Sequence, residues 1–322
     1  MARRRTRSED PPKEDEPVEQ VHDTPAADDD EEMEDQPEQQ SLQFNEELSW
    51  RPAKPIPSAT LLNRLEKLSK ELAEFDQEAV VLDSLNDVAA QLAHRNLLQH
   101  KDRGVKAYTA CCLVDLLRLF APDAPFTDDQ LKMMFSLFVK DILSALHDPS
   151  NPYSSQHKYV LMSLTDVKSI LLISEISGAD ELMLRLFNTA FDGVSNSSKA
   201  SAEEQVAKDV EIHLTEMLIH VIEESPGSVP ASVIDAIISQ FLRAAPPGGA
   251  RSKDQNEKQS TLLHKTEPAA YTMAKNICHG CSDKMSRYVS QYFSDVILNA
   301  SGFATKNNGY GQGDDSGDEA DP

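Results

Sequence analysis

The sequence predicts an all-α fold, and three observations support that prediction. Apolar residues recur every three or four positions from about residue 58 onward, which is the pattern of amphipathic helices. No stretch alternates apolar and polar residues between turn signals, so we expect no sheet. Most helix pairs begin about 44–52 residues after the previous pair, near the 40–47 of HEAT and armadillo repeats, and only the last gap is longer. We therefore predict a HEAT-repeat-like α-solenoid of about ten antiparallel helices, with a closed bundle as the alternative.

The acidic charge lies mainly at the two ends of the chain. The 322 residues include 31 Lys and Arg and 54 Asp and Glu, for a net charge of −23. Roughly −12 of this falls in the first 48 residues and roughly −4 in the last twenty, where few apolar residues could form a core. We predict a disordered acidic tail at residues 1–49, a helical domain at 50–302 and a disordered acidic tail at 303–322.

Composition also excludes several classes of protein. The four cysteines are too few for a disulfide scaffold and suit a reducing compartment. The longest apolar runs are far shorter than the roughly 20 residues of a membrane-spanning helix. The acidic balance argues against an overall phosphate-seeking surface, because such binding needs clustered cations. The basic cluster at Arg3–Arg7 is either a nuclear-import signal or the ordinary start of a disordered tail.

The first four helices are each predicted from one apolar stripe. Phe126 can pack on Leu131 as a hydrophobic staple before the fourth helix, and Thr127 with Gln130 forms a capping box at its start. At the entry to the third helix, Asp102 favours the helix N-terminus through the dipole. The stripes are Leu61, Leu65, Leu68, Leu72 and Phe75; Val81, Leu85, Val88, Ala89 and Leu92; Val105, Tyr108, Cys112, Leu116 and Leu119; and Leu131, Met134, Phe135, Phe138, Ile142 and Ala145.

The later helices follow the same pattern. One helix ends near Gly178 and the next stops at Gly193, while Ser201 with Glu204 reads as a second capping box. Residues 245–265, rich in Pro, Gly, Lys and Gln, are predicted to be a mobile insertion. The apolar positions are Tyr159, Met162, Val167, Ile170, Leu171 and Ile173; Leu182, Leu186, Phe187 and Phe191; Val206, Val210, Leu214, Met217 and Val221; Val233, Ile234, Ile237, Ile238 and Phe241; and the helices Tyr271–Cys278 and Met285–Leu298.

Catalytic and metal-binding motifs are not found in the sequence. It contains no Gly-rich phosphate loop and no Gly-x-Ser-x-Gly elbow, and the histidines share no spacing that would assemble a site. Cys278 and Cys281 have a metal-like spacing, but a structural zinc site needs four ligands and no second cysteine pair lies nearby. Free cysteines in a helix core explain them equally well. We predict no enzyme activity, no cofactor and no metal.

A more specific stretch covers the third helix and the turn after it. Residues 100–120 read His-Lys-Asp-Arg-Gly-Val-Lys-Ala-Tyr-Thr-Ala-Cys-Cys-Leu-Val-Asp-Leu-Leu-Arg-Leu-Phe, and residues 121–126 read Ala-Pro-Asp-Ala-Pro-Phe. This closely resembles the N-terminal HEAT region of the cohesin-regulator family called "precocious dissociation of sisters" (Pds, fifth member). Ser163–Ile176 and Leu182–Phe191 extend the resemblance, which covers about Trp50–Ala300.

The resemblance implies a function. Members of the family are curved HEAT scaffolds that bind the kleisin subunit of cohesin, with Wapl-, sororin- or haspin-type short motifs competing for them. They act in sister-chromatid cohesion during mitosis and in DNA repair, which implies a location in the nucleus on chromosomes, with indirect chromatin association and no membrane partner. Family members are much longer than 322 residues, so we expect an N-terminal piece or a truncated product.

The resemblance also implies a peptide site in the turn after the third helix. Carried over by position, the site consists of Ala121, Pro122, Asp123, Ala124, Pro125 and Phe126. Prolines stiffen the backbone, and a rigid loop loses little entropy on binding. Asp123 offers a carboxylate suited to an Arg of the partner. The family usually has Tyr where this chain has Phe126, so a hydroxyl contact is lost. The alternative is purely structural, with Phe126 as a staple and Asp123 as a turn cap.

Two further expectations remain open. Family members bind an inositol polyphosphate in a basic pocket, for which Lys101, Arg103 and Lys106, and also Arg64, Lys67 and Lys70, are possible contacts. The alternative is that all six lie on solvated helix faces. The rival to the cohesin function is a generic HEAT-repeat peptide-binding adaptor in transport or trafficking, unrelated to chromosomes.

Overall fold

A computed structural model describes residues 39–50, 55–148, 150–197, 204–225, 229–244 and 268–307. Within these ranges the chain forms eleven α-helices, so the all-α prediction is confirmed. The helices are α1 (Ser58–Glu74), α2 (Asn86–Leu92), α3 (Arg95–Leu98), α4 (Arg103–Leu119), α5 (Asp128–Leu137), α6 (Ser154–Asp166), α7 (Asp180–Ser197), α8 (Glu204–Glu224), α9 (Ala231–Ala244), α10 (Ala269–Gly280) and α11 (Ser282–Asn307).

The helices stack in two layers. In one layer α1 packs on α4, α4 on α6, α6 on α8 and α8 on α10. In the other, the turn that continues α5 packs on α7, α7 on α9 and α9 on α11. The chain passes from one layer to the other at each hairpin, and no hairpin covers its own apolar face. This repeating arrangement confirms the predicted HEAT-like solenoid.

Helix α4 lies at the centre of the first three hairpins. Most of its residues are buried, because α1, α2, α3, α5 and α6 all pack against it. Gly104 in its first turn allows a close approach, since a side chain there would overlap the hydroxyl of Tyr153. The predicted stripe of α1 faces α4, and its residues Leu61, Leu65, Leu68 and Leu72 are all fully buried.

Local capping signals confirm two of the predicted helix starts. The Asp102 carboxylate accepts a hydrogen bond from the Val105 amide at 3.0 Å, at the first turn of α4. Thr127 and Gln130 form the complete capping box of α5, with each side chain bonded to the other's backbone amide. Phe126 is half-buried against the core, as the staple requires. The second predicted box falls at Ser201, outside the described residues.

Four predicted helices differ in detail from the structure. The second splits into a 3₁₀ turn at Leu82–Leu85 followed by α2 and α3, and the fourth continues α5 as a π turn at Phe138–Ile142 and a 3₁₀ turn at Leu143–Ala145. The fifth is interrupted after α6 by Lys168, which has a φ of +58°, before a 3₁₀ turn at Ser169–Ser174. The sixth does not stop at Gly193, because α7 runs on to Ser197.

The predicted inward face of α6 is wrong. Tyr159 and Met162 are 38% and 44% exposed, whereas Val160, Leu161 and Leu164 are buried. Both sets have helical spacing, so the sequence contains two overlapping stripes. Packing of α6 between α4 and α8 selects the second one.

The described residues extend beyond both expected boundaries of the helical domain. Residues 39–50, here called the strap, fall within the predicted disordered tail except for Trp50, and they run as extended chain along the helices and fully bury Leu48. Helix α11 extends past residue 302 to Asn307. The other tail residues and the insertion at 245–265 lie outside the described residues.

Cations of one hairpin complete the helix ends of an earlier hairpin. Arg118, at the end of α4, donates hydrogen bonds to the carbonyls of Leu72 and Phe75 at 2.9 Å each, at the C-terminus of α1. Lys284 on α11 donates in the same way to the carbonyls of Ile222 and Glu223 in the last turn of α8, and to that of Ser225 just after it. The final carbonyls of a helix lack intrahelical partners and carry the negative end of the dipole, so a cation is favoured there.

We expect Arg118→Met to lower the free energy of unfolding by about 2–3 kcal/mol, because two carbonyls lose a charged donor. Urea denaturation monitored by circular dichroism measures the change. Arg185→Met is the matched control, because Arg185 is half exposed and its ion pair with Glu181 is long at 3.8 Å. That control should change stability by less than about 0.5 kcal/mol. Equal effects of the two substitutions would contradict the capping role.

Candidate functional site

The turn between α4 and α5 forms a defined corner, here called the proline corner (Ala121–Phe126). Helix α4 ends at Leu119, and the amide of the next residue, Phe120, still donates to the Leu116 carbonyl at 2.9 Å. The Ala121–Pro122 peptide is cis. Because prolines fix their own φ and lack an N–H, the corner cannot continue as helix and has few backbone donors of its own.

The outward side of the proline corner is open. Pro122, Asp123 and Pro125 are exposed, and Ala121 is half-buried. Within the part of the chain that the structure describes, no hydrogen bond or ion pair engages the Asp123 carboxylate. Asp123 therefore does not cap the turn, and its two oxygens remain available to a donor from outside.

The inward side of the proline corner is anchored. Phe120, Ala124 and Phe126 pack against the hydrophobic core. The Ala121 carbonyl accepts a hydrogen bond from the Gln77 side chain at 2.7 Å. Gln77 lies in the loop after α1, so the first hairpin supports the corner. Apolar contacts below and exposed prolines with a free carboxylate above make a rigid platform.

A buried acidic group lies six residues before the proline corner. The Asp115 side chain on α4 is fully buried, and the hydroxyl of Tyr159 on α6 donates to its Oδ1 at 2.6 Å. Arg118 approaches the same oxygen at 3.5 Å, and Oδ2 has no partner among the described residues. Desolvation raises the pKa of Asp115 to about 6, against the bonds from Tyr159 and Arg118, which lower it. Burial likewise raises the pKa of Tyr159.

The six candidate anion contacts do not form one basic surface. Arg64 and Lys67 both bind Glu46 of the strap at 3.0 Å, and Lys70 pairs with Glu66 on its own helix. Arg103 pairs with Asp148 at 3.1 Å, and Lys106 pairs with Asp141 at 2.6 Å. Lys101 lines a cleft of about 690 Å³ near the start of α4. Five of the six cations therefore already face a carboxylate.

A second cleft contains two cations, Arg95 and Lys132, that the sequence did not single out. It has a volume of about 640 Å³ and lies between α3 and α5. Arg95, Lys106 and Lys132 line it together with Asp129 and Asp141. Lys132 lies one helical turn before Ser136 on the outward side of α5. This spacing in the sequence could have indicated that both residues face the cleft. The three cations thus outnumber the two carboxylates along this cleft by one.

The described residues provide no metal site and no membrane span. No group of three or more His, Cys, Asp or Glu side chains within them is placed to hold a metal ion. Cys278 is half-buried and Cys281 is buried, both as free thiols, and burial raises the pKa of Cys281 to about 12. No helix in the described ranges is long and apolar enough to cross a bilayer.

Comparison with known proteins identifies the family. The sequence profile of the family described as "Sister chromatid cohesion protein PDS5 protein" matches residues 59–320. The chain belongs to the PDS5 family. Sister chromatid cohesion protein pds5 of Schizosaccharomyces pombe is 34% identical over 80% of this chain and 20% of its own length. The Saccharomyces cerevisiae protein is 34% identical over 80% of this chain and 19% of its length.

The structural comparison agrees with this family. A chain from the solved structure of the Pds5–Scc1 complex aligns with a TM-score of 0.66 and 31% sequence identity. The alignment covers 82% of this chain and 36% of that chain. Human PDS5 homolog B is 25% identical over 76% of this chain and 15% of its length. The chain thus spans about a fifth of the length of its curated PDS5 relatives.

We expect the free energy of unfolding to fall as pH rises, because Asp115 becomes ionised in the core. Its folded pKa of about 6 lies above the ordinary 3.8, so the folded state favours the protonated form. The stabilisation is complete below about pH 4 and is lost as pH rises through about 6. Asp115→Asn should therefore gain roughly 2–3 kcal/mol relative to the unsubstituted protein between pH 4 and pH 7.

Urea denaturation at several pH values measures that difference. The exposed Asp87→Asn controls for removal of one carboxylate at the surface. A pH-independent difference between Asp115→Asn and the unsubstituted protein would show that Asp115 does not titrate in this range.

Proposed function

We propose that this chain is a non-enzymatic scaffold region in sister-chromatid cohesion and that its proline corner binds short segments of partner proteins. The observation that carries the proposal is the free carboxylate of Asp123 between two exposed prolines on an anchored turn. Membership of the PDS5 family supports the cohesion context.

The chemistry of the proline corner suits a segment with one aromatic and one basic residue. Proline rings offer flat apolar surface for an aromatic ring, and Asp123 can accept two parallel hydrogen bonds from an arginine. The corner is already held by Phe120, Phe126 and the Gln77 bond, so little entropy is lost when a ligand binds. Phe126 has no hydroxyl, so recognition relies on apolar contact and the carboxylate. Wapl-, sororin- and haspin-type motifs have the expected chemistry.

We further propose that the chain contributes to binding the cohesin kleisin. The structural relative comes from a complex of Pds5 with Scc1, and this chain aligns with 36% of that relative. The proposed setting is the nucleus and chromosomes, in mitosis and DNA repair. A peptide adaptor in transport would use the same helical repeats, but membership of the PDS5 family favours the cohesion function.

We expect Asp123→Lys to weaken binding of an aromatic-Ser-Arg peptide by about 1–3 kcal/mol, because a charge-assisted hydrogen bond is lost and repulsion replaces it. Isothermal titration calorimetry with the full chain measures the change. Glu74→Lys is the matched control, because it makes the same charge change at an exposed site at the end of α1. Unchanged affinity of the Asp123 variant would remove the proline corner from the binding site.

Affinity capture tests the cohesion context separately. The full chain, incubated with nuclear extract, should recover cohesin subunits and a Wapl-type protein. The Asp123→Lys variant should lose the Wapl-type protein more than it loses the kleisin. Recovery of transport factors in place of cohesin subunits would favour the adaptor function.

A further inference from the structure

The strap contacts the helices with every second residue. Its odd-numbered residues from Ser41 to Glu47 are exposed, whereas the even-numbered residues face the helices. Leu48 is fully buried, and Leu42 and Phe44 pack half-buried against the core. Alternation of this kind is how an extended chain presents one side to a surface. The strap therefore binds by the face of an extended peptide.

Side chains of the helices satisfy the backbone of the strap. The side-chain Oε1 of Gln91 accepts hydrogen bonds from the amides of Leu48 and Ser49 at 2.7 and 3.1 Å. The Ser84 hydroxyl accepts the amide of Leu42 at 3.2 Å, and the Glu71 carboxylate accepts the amide of Gln43. These bonds involve only backbone amides of the strap. Any extended segment that places its amides at the same positions could therefore form them.

Two cations select the one acidic side chain that faces inward. Glu46 lies between Arg64 and Lys67 of α1, with both nitrogen–oxygen distances at 3.0 Å. Arg64 also donates to the carbonyl of Glu47. The hydrogen bond from Lys67 is the main cause that lowers the pKa of Glu46. The residue spacing of Arg64, Lys67 and Glu71 places all three along one side of α1.

Together these residues line a furrow between α1 and the segment Leu82–Leu92. The strap runs antiparallel to α1, since Gln43 meets Glu71 and Glu46 meets Arg64. The core stripe of α1, from Leu61 to Leu72, packs on α4 and is a separate row of side chains. Leaving the furrow would thus uncover Leu48 and the polar groups without separating α1 from α4.

We propose that this furrow is a binding site for an extended segment of a partner protein, and that the strap is the ligand that occupies it within the same chain. The fitting segment has an apolar residue, an aromatic residue, an acidic residue and a leucine at every second position, as at Leu42, Phe44, Glu46 and Leu48. Extended peptides are commonly recognised by main-chain hydrogen bonds combined with pockets for alternate side chains. This proposal does not depend on the function of the proline corner.

The tether makes the strap a strong competitor. Only residues 51–54 separate the strap from the residues that precede α1, so its effective concentration at the furrow is high. A partner segment must therefore outcompete the strap or meet a chain in which the strap is weakened. Only Leu48 of the strap is fully buried, and the ion pairs of Glu46 are partly exposed. We therefore expect the strap to contribute little binding free energy per residue.

A peptide of residues 39–50 with a fluorescent label tests the proposal by anisotropy on the full chain. The strap variant Glu46→Ala with Leu48→Asp should bind the peptide at least about tenfold more tightly than the unsubstituted chain, because its own strap competes less. Adding Arg64→Glu and Lys67→Glu to that variant should abolish binding of the peptide. A peptide carrying Glu46→Lys should bind this charge-reversed chain and not the original furrow.

Three results would overturn the proposal. The peptide could fail to bind the strap variant while circular dichroism shows it folded, it could bind the unsubstituted chain equally well, or its affinity could be indifferent to charge reversal. Hydrogen exchange of the unsubstituted chain provides a measurement that needs no variant. The amides of Leu48 and Ser49 should exchange at least about tenfold faster than that of Leu65 in α1, because the strap opens by itself. Exchange of all three only through global unfolding would make the strap a permanent part of the fold.

Discussion

The burial of α4 is the constraint on which the rest of the structure depends. This helix packs on α1 on one side and on α6 on the other, and its own partners α2, α3 and α5 cover the remaining sides. The side chains of Val105, Cys112 and Leu116 are fully buried as a result. Because both ends of α4 are thereby fixed, the turn that follows Phe120 has a defined position. The proline corner is rigid because the helix before it cannot move independently.

Polar groups complete this apolar stack at its edges. Arg118 closes the C-terminus of α1 and also approaches Asp115, so one cation serves a helix end and a buried acid. Burial raises the pKa of Asp115 to about 6. The ionised carboxylate is therefore less stable in the core than in water. Tyr159 reduces that cost by donating to Oδ1 while its ring remains partly exposed on α6. Arg118 and Tyr159 therefore stabilise the polar groups at the edge of the stack, in addition to the apolar packing.

The parts of the fold that depend on neighbouring residues in the chain were predictable from the sequence. The capping residue Asp102 and the box of Thr127 and Gln130 act within four residues, and both are present. The inward face of α6 could not be predicted, because two stripes fit and only α4 and α8 decide between them. Most of the strap was assigned to the disordered tail, because its short alternation of apolar and polar residues lies in acidic surroundings typical of such a tail. Its partners Glu71 and Gln91 lie 28 and 43 residues away.

For the candidate site, sequence reasoning located the proline corner by resemblance but did not reveal its support. The start of the strap and the proline corner both contact the loop that follows α1. Gln40 accepts the amide of Asp76 at 2.8 Å and bridges to Val80, whereas Gln77 in the same loop donates to the Ala121 carbonyl. The loop between α1 and α2 thus touches both surfaces. Suppose that a ligand at one surface changes the affinity of the other surface through this loop. Binding at the second surface must then change the affinity of the first ligand by the same factor. The short path through residues 76–80 is the physical element through which such coupling would act.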